Sequence, residues 1–151
     1  MPEVLPPELR PRVFAAIELF LDLNFITRDL VGGDLDSTAI YFCVAEATMR
    51  PLVLGKHPPQ TMRLVEPPES LRGSISRLQI ADRTGLARET VRRKTNALVK
   101  TGLLTEDSDG RVRTTRNLGD ANVQKAAHDA HAAVERYRTR LIELGAEANE
   151  K

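Results

Sequence analysis

Arg88, Glu89, Thr90, Arg92 and Arg93 fall within six consecutive residues, and that mixture suits recognition rather than catalysis. A guanidinium group can bond O6 and N7 of one guanine together, and a carboxylate can accept from a cytosine amino group. On a helix, positions 88, 89, 92 and 93 share a face, because residues three and four apart are neighbours. Thr90 and Lys94 are better placed for phosphate oxygens. Ser76 and Arg77 precede this cluster, and Arg111, Arg113 and Arg116 follow it.

The charge distribution agrees with an anionic partner. Between Arg72 and Arg116 there are 11 Lys/Arg against 5 Asp/Glu, while the rest of the chain holds 11 basic and 16 acidic residues. The formal net charge of +1 therefore hides a basic centre flanked by acidic arms. Local basicity of this kind is the electrostatic footprint of a phosphate-binding surface. A solvated helix face is the plainer explanation that charge alone leaves open.

The elements that must hold these residues are legible from local signals. Ser76 can cap a short helix over 77–83, with Ile80 and Ala81 on its inner side. Gly85 then tolerates the positive φ of a sharp turn into a second helix, about 87–101. Val91, Leu98 and Val99 face inward there, and the N-terminal half displays the arginines. Gly102 ends it. Two strands, 103–106 and 111–115, flank Asp107-Ser108-Asp109-Gly110, and Asp109-Gly110 is a strong hairpin signal. Ser74-Ile75 could add a short third strand.

Residues 75–115 resemble the winged-helix module of the cyclic-AMP receptor/FNR regulators, above all in Ile80-Ala-Asp-Arg-Thr-Gly-Leu-Ala-Arg-Glu-Thr-Val91. The resemblance implies base reading by Arg88, Glu89 and Arg93, and phosphate contact by Ser76 and Thr90. Glu89-Thr-Val-Arg-Arg93 followed by 98–103 is also similar to GntR-type modules. Lys94 and Thr95 stand where the first family places apolar residues, Arg92 replaces a small one, and no β-roll precedes the module. The remaining backbone contacts are expected from Arg77, Arg92, Lys94, Arg111 and Arg113.

The flanks read as long helices. From 8 to 30, Val13, Ile17, Phe20, Leu21 and Phe25 recur at helical spacing, with Phe14, Leu19, Leu23 and Ile26 widening the stripe. Gly32-Gly33 ends it. Asp34 or Asp36 can cap a second helix to about Met49, closed by Pro51. Five prolines between 51 and 71 indicate a long connecting loop. From 118 to 145, Val123, Ala127, Ala130, Val134, Tyr137, Leu141 and Leu144 alternate spacings of four and three, a heptad series. Val13, Ile17, Phe20, Val123, Ala130, Val134, Tyr137, Leu141 and Leu144 are the expected dimer contacts. Packing of the last helix on the chain's own first helix is the alternative. Helix, helix, winged module and long closing helix is also the order of MarR-type regulators, a likeness of architecture alone.

Several features point elsewhere and carry less. His128 and His131 are spaced i, i+3, but a metal site wants further ligands, and His57 lies in the loop. Cys43, the one cysteine, excludes an internal disulfide and fits a small core residue better than a redox sensor. Asp107 and Asp109 belong to a turn, and no acid–base pair accompanies a nucleophile. Neither enzymatic activity, a metal nor a cofactor is expected. No signal peptide or membrane span is visible, which indicates the cytoplasm.

The expected fold is mainly α with a small β-hairpin wing, a winged helix-turn-helix flanked by long N- and C-terminal helices. Its expected parts are N-terminal helices at 1–50, a Pro-rich loop at 51–72, the DNA-binding module at 73–116 and a C-terminal helix at 117–151. The expected function is a homodimeric transcriptional regulator, a repressor acting on an inverted repeat of double-stranded DNA. A small molecule between the apolar arms would alter the spacing of the reading heads, but nothing identifies one. The alternatives are an accessory factor for replication, partition or phage functions, and a winged helix that docks a protein.

Overall fold

A computed structural model describes residues 4–115 and 120–148. Arg116 and the expected helix start at Leu118 fall outside them. Among the described residues five α-helices and one hairpin form, in the order α1 (Leu9–Val31), α2 (Leu35–Leu54), α3 (Arg77–Thr84), α4 (Arg88–Lys100), β1 (Leu104–Glu106), β2 (Val112–Thr114) and α5 (Ala121–Glu143). The fold is mainly α. The chain divides into an arm, Met1–Thr27 with Lys125–Lys151, and a central unit, Arg28–Gln124.

In the central unit, α2 is the backbone against which the rest assembles. Asp34 caps it by accepting from Ser37 N at 2.8 Å. The helix does not stop at Pro51, as the sequence leads one to expect, but runs through it to Leu54. Proline lacks the N–H that would bond the carbonyl four residues back, and the neighbouring backbone closes over that place. Gly73 N donates to Thr48 O at 2.9 Å, and a Cβ at Gly73 would stand 2.1 Å from Ala47 O. Only glycine permits that approach. Residues 55–72 are likewise more than a bare loop. Two 3₁₀ turns, Pro59–Arg63 and Glu69–Leu71, punctuate them.

One apolar cluster holds the unit together. Ile40, Cys43 and Val44 of α2 meet Ile80 and Ala81 of α3, Val91 and Leu98 of α4, and Leu104, Val112, Ile75 and Val31. Each fully buried Val, Ile or Leu contributes about 1.5–3 kcal/mol. The hairpin joins this core in the register Leu104↔Thr114, Thr105↔Arg113, Glu106↔Val112. The third strand weighed above is reduced to one bridge, Ile75↔Val112. Thr95 of α4 is also fully buried, and its hydroxyl has no partner among the described residues.

In the arm, the residues of α1 up to Thr27 pack against α5. Pro11 falls in the first turn of α1, where its missing N–H has no intrahelical partner to lose. The contact face is small and charged. Ala15, Leu141 and Ala146 form the buried cluster with Tyr137 beside it. Arg140 bonds both oxygens of Glu18, the closer at 2.8 Å, and Arg136 reaches Asp22 at 3.2 Å. Arg12 donates to Ala146 O at 3.1 Å.

Candidate nucleic-acid interface

The site begins with a turn that the sequence specifies closely. Ser76 Oγ accepts from Gln79 N while Gln79 Oε1 accepts from Ser76 N, a reciprocal cap for α3. Gly85 ends α3 at φ +73°, in the left-handed region, with its N–H on Ala81 O. Two residues later stands Ala87, whose side chain offers no cap, and α4 starts at Arg88. The first N–H groups of α4 therefore lack a side-chain acceptor, at the end of the helix that favours negative charge.

α4 is divided cleanly between core and solvent. Val91, Thr95 and Leu98 are buried, and Arg88, Glu89, Arg92, Arg93, Asn96 and Lys100 are exposed. Thr90 is half-buried. Asn96 and Lys100 extend the polar face by two turns beyond the cluster read from the sequence. The signal was present in the spacing, since Asn96 follows Arg92 and Lys100 follows Asn96 by four residues.

The charged side chains on this face differ in how far they are committed. Arg88 and Arg93 form no ion pair among the described residues. Arg92 holds both carboxylate oxygens of Glu89, with Nε to Oε2 at 2.9 Å. The Arg92 hydrogen bonds hold the Glu89 carboxyl below its ordinary range. Both members are exposed, so the pair costs little to open.

Other expected contact residues are engaged inside the unit. Arg77 donates to Gly110 O at 3.2 Å, Asn96 Oδ1 at 2.6 Å and Glu106 Oε2 at 2.9 Å. Arg111 grips Ser74 through its hydroxyl at 2.9 Å and its carbonyl at 2.8 Å. Arg113 reaches Glu69 at 2.9 Å. Lys94, standing where a family resemblance predicts an apolar residue, donates to Asp34 Oδ1 at 2.7 Å. It thereby ties α4 to the cap of α2. Partial burial pushes the Asp34 carboxyl up, but Lys94 and Ser37 outweigh it and lower its pKa to about 2.

Elsewhere the structure gives less chemistry. Cys43 is buried in the core cluster, and burial pushes its thiol up, which disfavours the reactive thiolate. Among the described residues, no group of three or more His, Cys, Asp and Glu is placed to hold a metal ion. Among them too, no helix is long and apolar enough to cross a membrane. In the arm, Val13, Ile17, Phe20, Val134 and Leu144 are exposed. Val123, Ala130 and Tyr137 are half-buried, and Leu141 is buried against Ala15 of the same chain.

No protein-family model matches the chain, and comparison with curated proteins and with solved structures found nothing similar to it.

Proposed function

We propose that the protein is a sequence-specific DNA-binding regulator whose central unit is a winged helix-turn-helix, with α4 as the recognition helix. The observation that supports this most is the outer face of α4. It presents Arg88, Arg92 and Arg93 to solvent, directly after the Gly85 turn and beside an uncapped helix N-terminus. The N-terminal residues of a recognition helix meet base edges in the major groove, and uncapped backbone N–H groups favour phosphate. Arg88 and Arg93 are the base readers, since both are exposed on the outer face of α4 and neither forms an ion pair among the described residues. Glu89 joins them once the exposed Arg92 pair opens, and Arg92 then turns to the backbone. Arg77, Lys94, Arg111 and Arg113 serve first to hold the reading head in shape.

Occupying a promoter is sufficient for repression, and a two-fold pair would present recognition helices about 34–36 Å apart to an inverted repeat. A protein-docking reading is favoured by one observation, the internal commitment of Arg111 and Arg113, which leaves the hairpin short of free cations.

Titrating salt against binding to a duplex separates the two. A dimer that places about six cations on phosphates loses about 10³-fold in affinity between 50 and 200 mM salt. Arg88→Ala and Arg93→Ala should each cost about 1–3 kcal/mol and relax the preference for one base pair. Unchanged affinity and preference in the double variant would remove α4 from the interface.

A further inference from the structure

The arm packs its two helices through the wrong face of α1 for a finished hydrophobic contact. Ala15, Glu18 and Asp22 meet α5, while Val13, Phe14, Ile17, Phe20 and Leu21 are each between 51% and 58% exposed. At 100° per residue these five fall within an arc of about 120°, centred roughly 130° round the helix from the α5 contact. Phe14 and Phe20 are two of only four phenylalanines in the chain.

We infer that this outer face of α1 is covered by the same face of a second copy of the chain. The exposed parts of the five side chains amount to roughly 500 Å², the upper range of the largest apolar patch on a monomer. A two-fold pairing would bury about twice that, which reaches the roughly 1,000 Å² at which specific interfaces begin, before any rim residue is counted. A two-fold contact also sets like residues near like, so it needs a face almost without charge. Among positions 13–21 the only ionised groups are Glu18, which is paired with Arg140, and none on the arc itself.

A lipid surface fits less well. The arm carries nine acidic and seven basic residues, and amphipathic helices that lie on membranes carry a basic polar face. The seam is therefore α1, with the heptad series of α5 partly used within the chain. Tyr137 and Leu141 already pack on Ala15.

Sedimentation of the full chain without nucleic acid tests the assignment, and it stands apart from the DNA reading. At about 50 μM the wild type should run as twice its 16.8 kDa, and Ile17→Glu with Phe20→Glu should return it to one chain with its helical circular dichroism kept. Phe20→Ser, a milder change, should raise the dimer dissociation constant at least tenfold. In the wild type, amide exchange over 10–25 should slow as concentration rises from 1 to 100 μM. A monomeric wild type, or a well-folded double variant that stays dimeric, overturns the inference. So does dissociation by Met49→Glu, which alters an equally exposed apolar residue of α2. Should the double variant fail to fold, unchanged dissociation in Phe20→Ser and concentration-independent exchange overturn it equally.

Discussion

The central unit and the arm are both helical, yet they dispose of their apolar residues in opposite ways. The central unit sends Ile40, Ile80, Val91 and Val112 to complete burial and leaves arginines outside. The arm buries Ala15, Ala133 and Leu141, fixes its helices with ion pairs, and leaves Val13, Ile17 and Phe20 in solvent. Exposed ion pairs contribute about 0–1 kcal/mol each, against about 1.5–3 kcal/mol for a buried Ile or Phe. The central unit is therefore closed around one apolar cluster, although Met49 and Leu54 of α2 stay exposed, whereas the arm leaves the larger apolar face of α1 uncovered within the chain.

The comparison breaks most readily through the cores. Ile80→Ala should cost about 3–4 kcal/mol in urea unfolding, because it empties a site sealed by three helices and the hairpin. Leu141→Ala should cost about 2 kcal/mol, the lower end for such truncations, since its neighbours are two alanines and a tyrosine. Equal costs would mean that the arm is as well packed as the centre.

Asp34→Ala ranks next. It removes the α2 cap and the partner of Lys94, at a cost of about 1–2 kcal/mol. The pH dependence has a definite sign. A folded pKa lowered to about 2 gives stability that is fully present above the unfolded value near 4 and lost as pH falls through 2. Since Asp34 is exposed, screening reduces this to about 1 kcal/mol. Wild type and Asp34→Ala should therefore converge in acid unfolding between pH 4 and pH 2.

Thr95→Val acts in the other direction. Replacing an unpartnered buried hydroxyl with a methyl of similar size should stabilise the central unit by about 1 kcal/mol, read as a shift in the urea midpoint. Arg140→Ala should be smallest, a barely lowered midpoint in thermal unfolding, because exposed ion pairs contribute little. A loss as large as that of Leu141→Ala would show that the arm depends on its ion pairs more than exposed pairs allow.

What could be read from the sequence was what is settled locally. Ser76, Gly85 and Asp109-Gly110 each define a cap or turn within a few residues, and all three form where expected, Gln79 adding a reciprocal bond to the Ser76 cap. The inward residues Ile80, Ala81, Val91 and Leu98 follow from helical period alone. What could not be read depends on partners far along the chain. α2 continues through Pro51, and Gly73, 22 residues later, closes against the turn before it. Arg111 and Lys94 read as surface cations until Ser74 and Asp34 come beside them. The side of α1 that faces α5 was hidden for the same reason, since Ala15 draws less attention in a hydrophobic pattern than Phe20.

Arg77 carries a mechanical consequence. One guanidinium spans the start of α3, the middle of α4 and both ends of the hairpin turn, through Asn96, Glu106 and the Gly110 carbonyl. With those elements riveted together, α4 and the hairpin form one template, and under the function proposed above it is this template that meets duplex DNA. Much of the entropy of ordering the template is spent during folding, before any encounter. Cutting that rivet would leave the contacting side chains unchanged and still weaken binding, by returning that entropy cost to the moment of association.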